Sequence, residues 1–226
     1  MEHLFSERGG TILSATNYRH IVFDVDGTLI DNEEAVLRSL QQTLEQKTER
    51  KFEPDDLRFA LGIPGGDALA RLGLADVPGI IEAWERNFSS LGPQTRVFGN
   101  IETMLSALKA SGYALGVITS KTKSEYAQDV TKLFPSLSAF FEVVVCADDT
   151  ERHKPHPDPM RFYMSRTGAR VGEILYIGDS TYDYECADSA GVDFGLAVWG
   201  AKTSEGRQAT HFFAQPREIL NLLTGA

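Results

Sequence analysis

Cysteine is scarce in this chain: Cys146 and Cys186 are the only two among 226 residues. Two thiols cannot build a disulfide framework, and both read as buried core thiols. Long apolar runs are missing too, since none approaches the ~18 residues that a membrane-spanning helix requires. Met1 to His20 lack the basic start and continuous apolar stretch of a signal peptide. A cytoplasmic protein with no membrane partner is therefore expected. Positive charge is in deficit, with 22 Lys and Arg against 32 Asp and Glu and a net charge of -10. Such a surface argues against nucleic acid, whose phosphate backbone needs clustered basic residues. Internal repeats and low-complexity tracts are absent as well. An acidic protein can still bind a small phosphate where a metal ion and one or two lysines reverse the local field.

The chain does have length for a sizeable core and one sharply defined stretch, Ile21-Val22-Phe23-Asp24-Val25-Asp26-Gly27-Thr28. An apolar run ends in two carboxylates spaced two apart. In an extended chain these point to the same side, so Asp24 and Asp26 leave the end of a buried strand together. They repel one another unless a cation or a proton lies between them. Gly27 then permits a tight turn. Taken alone, this Asp-x-Asp-Gly reads equally well as a polar turn closing a strand.

Further along, Met1 to Arg19 shows no periodicity and reads as a loose extension. Asp31 and Glu34 have capping-box spacing, and Leu37, Leu40 and Leu44 predict an amphipathic helix behind them. From Pro54 to Ser90 the pattern stays helical, broken by Gly62-Ile63-Pro64-Gly65-Gly66, with Leu57, Leu61, Leu69, Leu72, Ile81 and Trp84 as its expected core. That glycine-rich loop reads equally as a lid edge or a helix connector. Gly92-Pro93 marks a return linker, and Asn100 is placed to cap a helix that stops at Gly112. Strands are expected over 113–118, 141–145, 174–177 and 194–198, with helices between them up to Phe134, over 159–168 and over 216–223. This alternation predicts an α/β fold with a doubly wound parallel sheet covered on both faces.

Four polar groups follow the carboxyl ends of predicted strands: Asp24 with Asp26, Thr119, Lys154, and Asp179 with Asp183. In open parallel sheets this edge is where ligands bind, so residues distant in sequence converge on one crevice. In order, spacing and residue type the four motifs resemble the haloacid dehalogenase superfamily, in the branch that includes phosphoglycolate phosphatase. The resemblance runs from Ile21 to the C-terminus. It implies a Rossmann-like core and gives each residue a role: Asp24 as the nucleophile that forms an aspartyl-phosphate, Asp26 as general acid and base. Asp179 and Asp183 join Asp24 and the backbone carbonyl of Asp26 as metal ligands, and this all-oxygen set suits Mg²⁺. Thr119 holds a phosphoryl oxygen and Lys154 neutralises the phosphate, with Ser120 and Lys121 as further phosphate or leaving-group contacts. Mg²⁺ and the lysine together roughly balance the carboxylates before a phosphate dianion arrives.

By the same resemblance, residues 32–92 fall where this branch inserts an all-helical cap, leaving 20–31 with 93–226 as the catalytic core and 1–19 as the extension. Cap closure excludes water and selects the leaving group. The implied activity is hydrolysis of a small-molecule phosphate monoester by a monomer or homodimer. A sugar phosphomutase of the β-phosphoglucomutase type, an inorganic pyrophosphatase and a non-catalytic binding protein are the alternatives. Arg58 and Arg71 are possible substrate contacts but read more simply as exposed helix charges, and Asp188, His153 and His156 read as structural.

Overall fold

A computed structural model describes residues 17–48, 50–74, 76–91, 94–201 and 208–224. The expectations for the first sixteen residues and for Gly92-Pro93 fall outside these. The chain enters through β1 (His20–Phe23) and forms β2 (Ile30–Asp31), α1 (Glu33–Thr48), a 3₁₀ turn (Pro54–Ala60), α2 (Gly65–Arg71) and α3 (Val77–Leu91). It returns through β3 (Arg96–Val97) into α4 (Ile101–Ala110), β4 (Ala114–Ile118), α5 (Lys123–Tyr126), α6 (Pro135–Ser138) and β5 (Val143–Val145). After these come α7 (Asp158–Thr167), β6 (Ile174–Gly178), α8 (Thr181–Ala190), β7 (Asp193–Ala197), β8 (His211–Phe213) and α9 (Arg217–Thr224).

Among the described residues six strands form one parallel sheet in the order β5-β4-β1-β6-β7-β8. β1 lies between β4 and β6, with Phe23 level with Val117 on one side and Ile177 on the other. The winding therefore reverses at β1, and the crevice beyond its carboxyl end is the point where such sheets take ligands. Alternation sends Ile21 and Phe23 into the core beneath α4 and α9, and Val22 into the core beneath α7 and α8. Covered on both faces, β1 has no polar side beyond His20 at its start, which is why Ile21, Val22 and Phe23 are all apolar.

A third apolar cluster joins Leu37, Leu40 and Leu44 of α1 to Leu57, Leu69 and Ile80. Of the expected core in this stretch, Leu57 and Leu69 are buried, while Leu61, Leu72, Ile81 and Trp84 pack against it at its margin. Where the chain leaves for these helices and returns from them, β2 and β3 pair antiparallel, Ile30 with Val97 and Asp31 with Arg96.

Local departures from the expected elements have physical causes. The Asp31/Glu34 capping box does not form: Asp31 is spent in β2, where Arg96 Nη2 holds its carboxylate at 2.6 Å, and α1 begins at Glu33. Asn100 precedes α4 in the left-handed conformation at φ 67°, without a side-chain cap; asparagine tolerates that geometry. β8 escaped sequence reading because it is three residues long and only its last side chain is buried, too little to show a period. Both cysteines are buried, and burial pushes each thiol up to about 12.

Tyr163 of α7 lies directly over Gly116 in β4, where a Cβ would collide with its ring. Gly116→Ala is expected to lower stability by about 1–3 kcal/mol through overpacking. Gly172→Ala, whose Cβ meets nothing within 4 Å, should change it by less than about 0.5 kcal/mol. Urea denaturation of both variants checks this, and equal midpoints would refute the packing account.

Candidate active site

β1 ends in Asp24, whose N–H still donates to the Ile177 carbonyl at 2.8 Å. The ladder thus holds the carboxylate at the sheet edge, 2 % exposed. The chain then turns: Gly27, Leu29 and Ile30 close hydrogen bonds across residues 25–30, and Gly27 adopts φ 79°. A side chain at Gly27 would also lie within 2.7 Å of Asp179 Cγ. Only glycine fits both demands. The Trp199 indole donates to the Thr28 carbonyl at 2.9 Å, and the Thr28 hydroxyl donates to Asp179 at 3.1 Å. The turn after β1 is in this way tied to the end of β6.

Asp183 sits in the first turn of α8, where its carboxylate closes a capping box with Ser180. The Tyr176 hydroxyl donates to it at 2.8 Å. Lys154, from the loop after β5, reaches between the two elements: its Nζ lies 2.8 Å from Asp24 Oδ1 and 2.7 Å from Asp183 Oδ1, with both pairs buried. Carboxylate oxygens of Asp24, Asp179 and Asp183 all lie within 4.8 Å of one another.

Electrostatics follow from this crowding. Burial, then repulsion from Asp183, Asp179 and Asp26, raises Asp24 well above the usual carboxylate range against the pull of Lys154. Burial and Asp183 push Asp179 up to about 7. At Asp183 burial is outweighed by Lys154 and by bonds from Ser180 and Tyr176, so its carboxyl is held down. At Lys154 burial is likewise outweighed by Asp183 and Asp24, and its ammonium stays charged. Three acids so close, two of them biased toward protonation, form a set that a hard divalent cation would relieve; the all-oxygen donors fit a metal of that kind.

Asp26 projects to the cavity side of the same turn, where the Asn32 amide donates to its Oδ1 and Lys121 Nζ lies 3.3 Å from it. Lys121 is shared with Asp129 at 2.9 Å. Thr119 is buried at the end of β4, and its hydroxyl oxygen accepts from the Lys121 N–H at 3.2 Å. Ser120 donates to the Gly62 carbonyl at 2.8 Å and so holds the glycine-rich loop. That loop lines a cavity of about 480 Å³ into which Asp24, Asp26, Ser120 and Lys121 also face. Arg58 pairs with Glu33 at 2.9 Å and Arg71 donates to the Tyr182 hydroxyl at 2.9 Å, and neither lines the cavity. His156 and Asp188 are exposed.

Sequence reading passed over Thr28, Asn32, Asp129, Tyr176 and Trp199. Tyr176 interrupts an aliphatic strand with a hydroxyl, the one signal that could have found it. The others act through neighbours that only folding supplies.

Residues 21–197 match the haloacid dehalogenase-like hydrolase family. The chain belongs to that family and is an enzyme of it. The hydrolase is 26% identical to pyrophosphatase PpaX of Bacillus velezensis over 206 residues, 89% of this chain and 94% of the relative. With PpaX of Halalkalibacterium halodurans it shares 30% over 76% of this chain and 80% of the relative. In structure it resembles a candidate phosphoglycolate phosphatase of Lactobacillus plantarum, with a TM-score of 0.81 and 28% identity over 91% of this chain and 99% of that one.

The buried Lys154 is the only cation in contact with two buried carboxylates among the described residues. Lys154→Met should destabilise the metal-free hydrolase by about 3–5 kcal/mol, the usual consequence of leaving buried charge uncompensated. Urea denaturation in chelator measures it; a loss under about 1 kcal/mol would show that solvent reaches the carboxylates.

Proposed function

We propose that this hydrolase is a Mg²⁺-dependent phosphatase that cleaves a small phosphate monoester through an aspartyl-phosphate on Asp24. The observation that carries the reading is the placement of Asp24 at the sheet's switch point, paired to a buried lysine and facing the cavity with Asp26 beside it. Asp24 attacks phosphorus and the ester oxygen departs. Asp26 lines the cavity beside Lys121, positioned to give that oxygen its proton and to take one from water in the second step. Lys154 and Thr119 hold phosphoryl oxygens, with Ser120 and Lys121 at the leaving-group side. Asp24, the Asp26 carbonyl, Asp179 and Asp183 would hold Mg²⁺, which when bound would neutralise charge on the transferring group.

In this reading residues 20–31 and 93–226 form the catalytic core, residues 32–92 form the cap, and the enzyme works in the cytoplasm. The cap's separate apolar cluster supports that division. Its contacts with the core, Ser120 to Gly62 and Arg71 to Tyr182 among them, support a lid docked over the site. A second reading, hydrolysis of pyrophosphate, is favoured by the names of the PpaX relatives.

Asp24→Asn should reduce phosphate release from acetyl phosphate by at least about 10³-fold. It should fold normally, because Asp183 keeps Lys154 paired. Circular dichroism and a phosphate assay check both, and near-normal turnover by the folded variant would sink the nucleophile assignment. Asp179→Ala should raise the Mg²⁺ concentration needed for half-maximal rate by at least about tenfold, a loss seen even for partners outside a metal's inner sphere. An unshifted titration would remove Asp179 from the ligands.

A further inference from the structure

The geometry points to a leaving group that is apolar and carries no negative charge, so that the substrate is the phosphate ester of such an alcohol and not of a hydroxy acid or of phosphate itself. This rests on the phosphatase reading and concerns the part of the same cavity that lies beyond Asp24 and Asp26.

Three observations converge. First, Ile63, Ile81, Trp84 and Phe88 give the cavity an apolar wall, and the one polar atom of Trp84 is taken by Ser39 of α1 at 2.9 Å. Apolar surface of this kind binds by removing carbon from water and offers an anion nothing.

Second, the two cations among the lining residues, Lys121 and Arg86, are already engaged. Lys121 Nζ is held by Asp129 at 2.9 Å and Asp26 at 3.3 Å, and lies 5.3 Å from the centre of the Phe88 ring. Arg86 pairs with Glu82 at 3.5 Å on the outside of α3, with its side chain 66% exposed.

Third, Glu85 lines the same cavity. Burial, then Glu125, Asp129 and Glu82, holds its carboxyl above the ordinary value, opposed only by Arg86. A second carboxylate or phosphate entering there adds to an existing repulsion, and a site of this charge discriminates against it without any contact built for the purpose.

The test is phosphate release by the full chain with Mg²⁺ from benzyl phosphate, phosphoglycolate and pyrophosphate, with acetyl phosphate as a small reactive reference. Benzyl phosphate and phosphoglycolate are both primary alkyl esters, so their comparison isolates binding from leaving-group chemistry. Expected is a kcat/KM for benzyl phosphate at least about tenfold above those of the two anionic compounds. Glu85→Lys should narrow the benzyl-to-glycolate ratio by about fivefold or more. Hydrolysis of acetyl phosphate with benzyl phosphate no better than the anionic compounds overturns the inference and leaves the phosphatase reading standing. An unmoved ratio in the Glu85 variant overturns it equally, because the cavity's charge then selects nothing. No release from any compound, acetyl phosphate included, overturns both.

Discussion

A lysine ammonium buried between two carboxylates is the interaction on which this structure depends. Moving each of these ions out of water costs several kcal/mol, repaid only where geometry and further hydrogen bonds satisfy the group. Here the satisfaction is distributed over four elements. Asp24 is held by the β1–β6 ladder, Asp183 by the first turn of α8, and Lys154 by the loop after β5, while Tyr176 donates into the pair from β6. No one of these segments could keep its charge buried alone. The ion cluster therefore specifies how the strand ends meet as much as it results from their meeting.

The same cluster concentrates negative charge that the lysine alone does not neutralise. Asp179 and Asp24 are pushed toward protonation by burial and by their neighbours, a local instability kept in place by the surrounding fold. Apolar packing on both faces of the sheet supplies that support, with Ile21, Val22 and Phe23 of β1 fully buried. Functional sites commonly hold such unfavourable arrangements against a well-packed scaffold. An all-oxygen cation site follows from it, because the repulsion among these acids is what a divalent ion removes.

Relatives of this hydrolase carry names that imply different leaving groups, a phosphate in one case and a hydroxy acid in another. The shared fold accommodates both, since function resides in the site and not in the scaffold. In this chain the proposed reacting centre and the cavity wall beside it come from different parts of the sequence. The centre is made by strand ends of the sheet, and the wall by α3 and the loop after the 3₁₀ turn.

Sequence alone determined the central strands and pointed to the candidate site residues. An apolar run ending in Asp24-Val25-Asp26-Gly27 carries its own geometry, because strand period and glycine turn are local properties. The resemblance to the family added Thr119, Lys154, Asp179 and Asp183, of which the structure brings Lys154, Asp179 and Asp183 beside Asp24. A local signal failed where a neighbour from afar outbid it: Asp31 serves Arg96 instead of capping α1. Tertiary structure alone decided that Lys121 sits between Asp26 and Asp129, that Asn32 and Trp199 brace the turn, and that Glu85 faces the cavity beside Trp84. Those facts depend on distances between residues far apart in the chain, and neither periodicity nor turn chemistry encodes such distances.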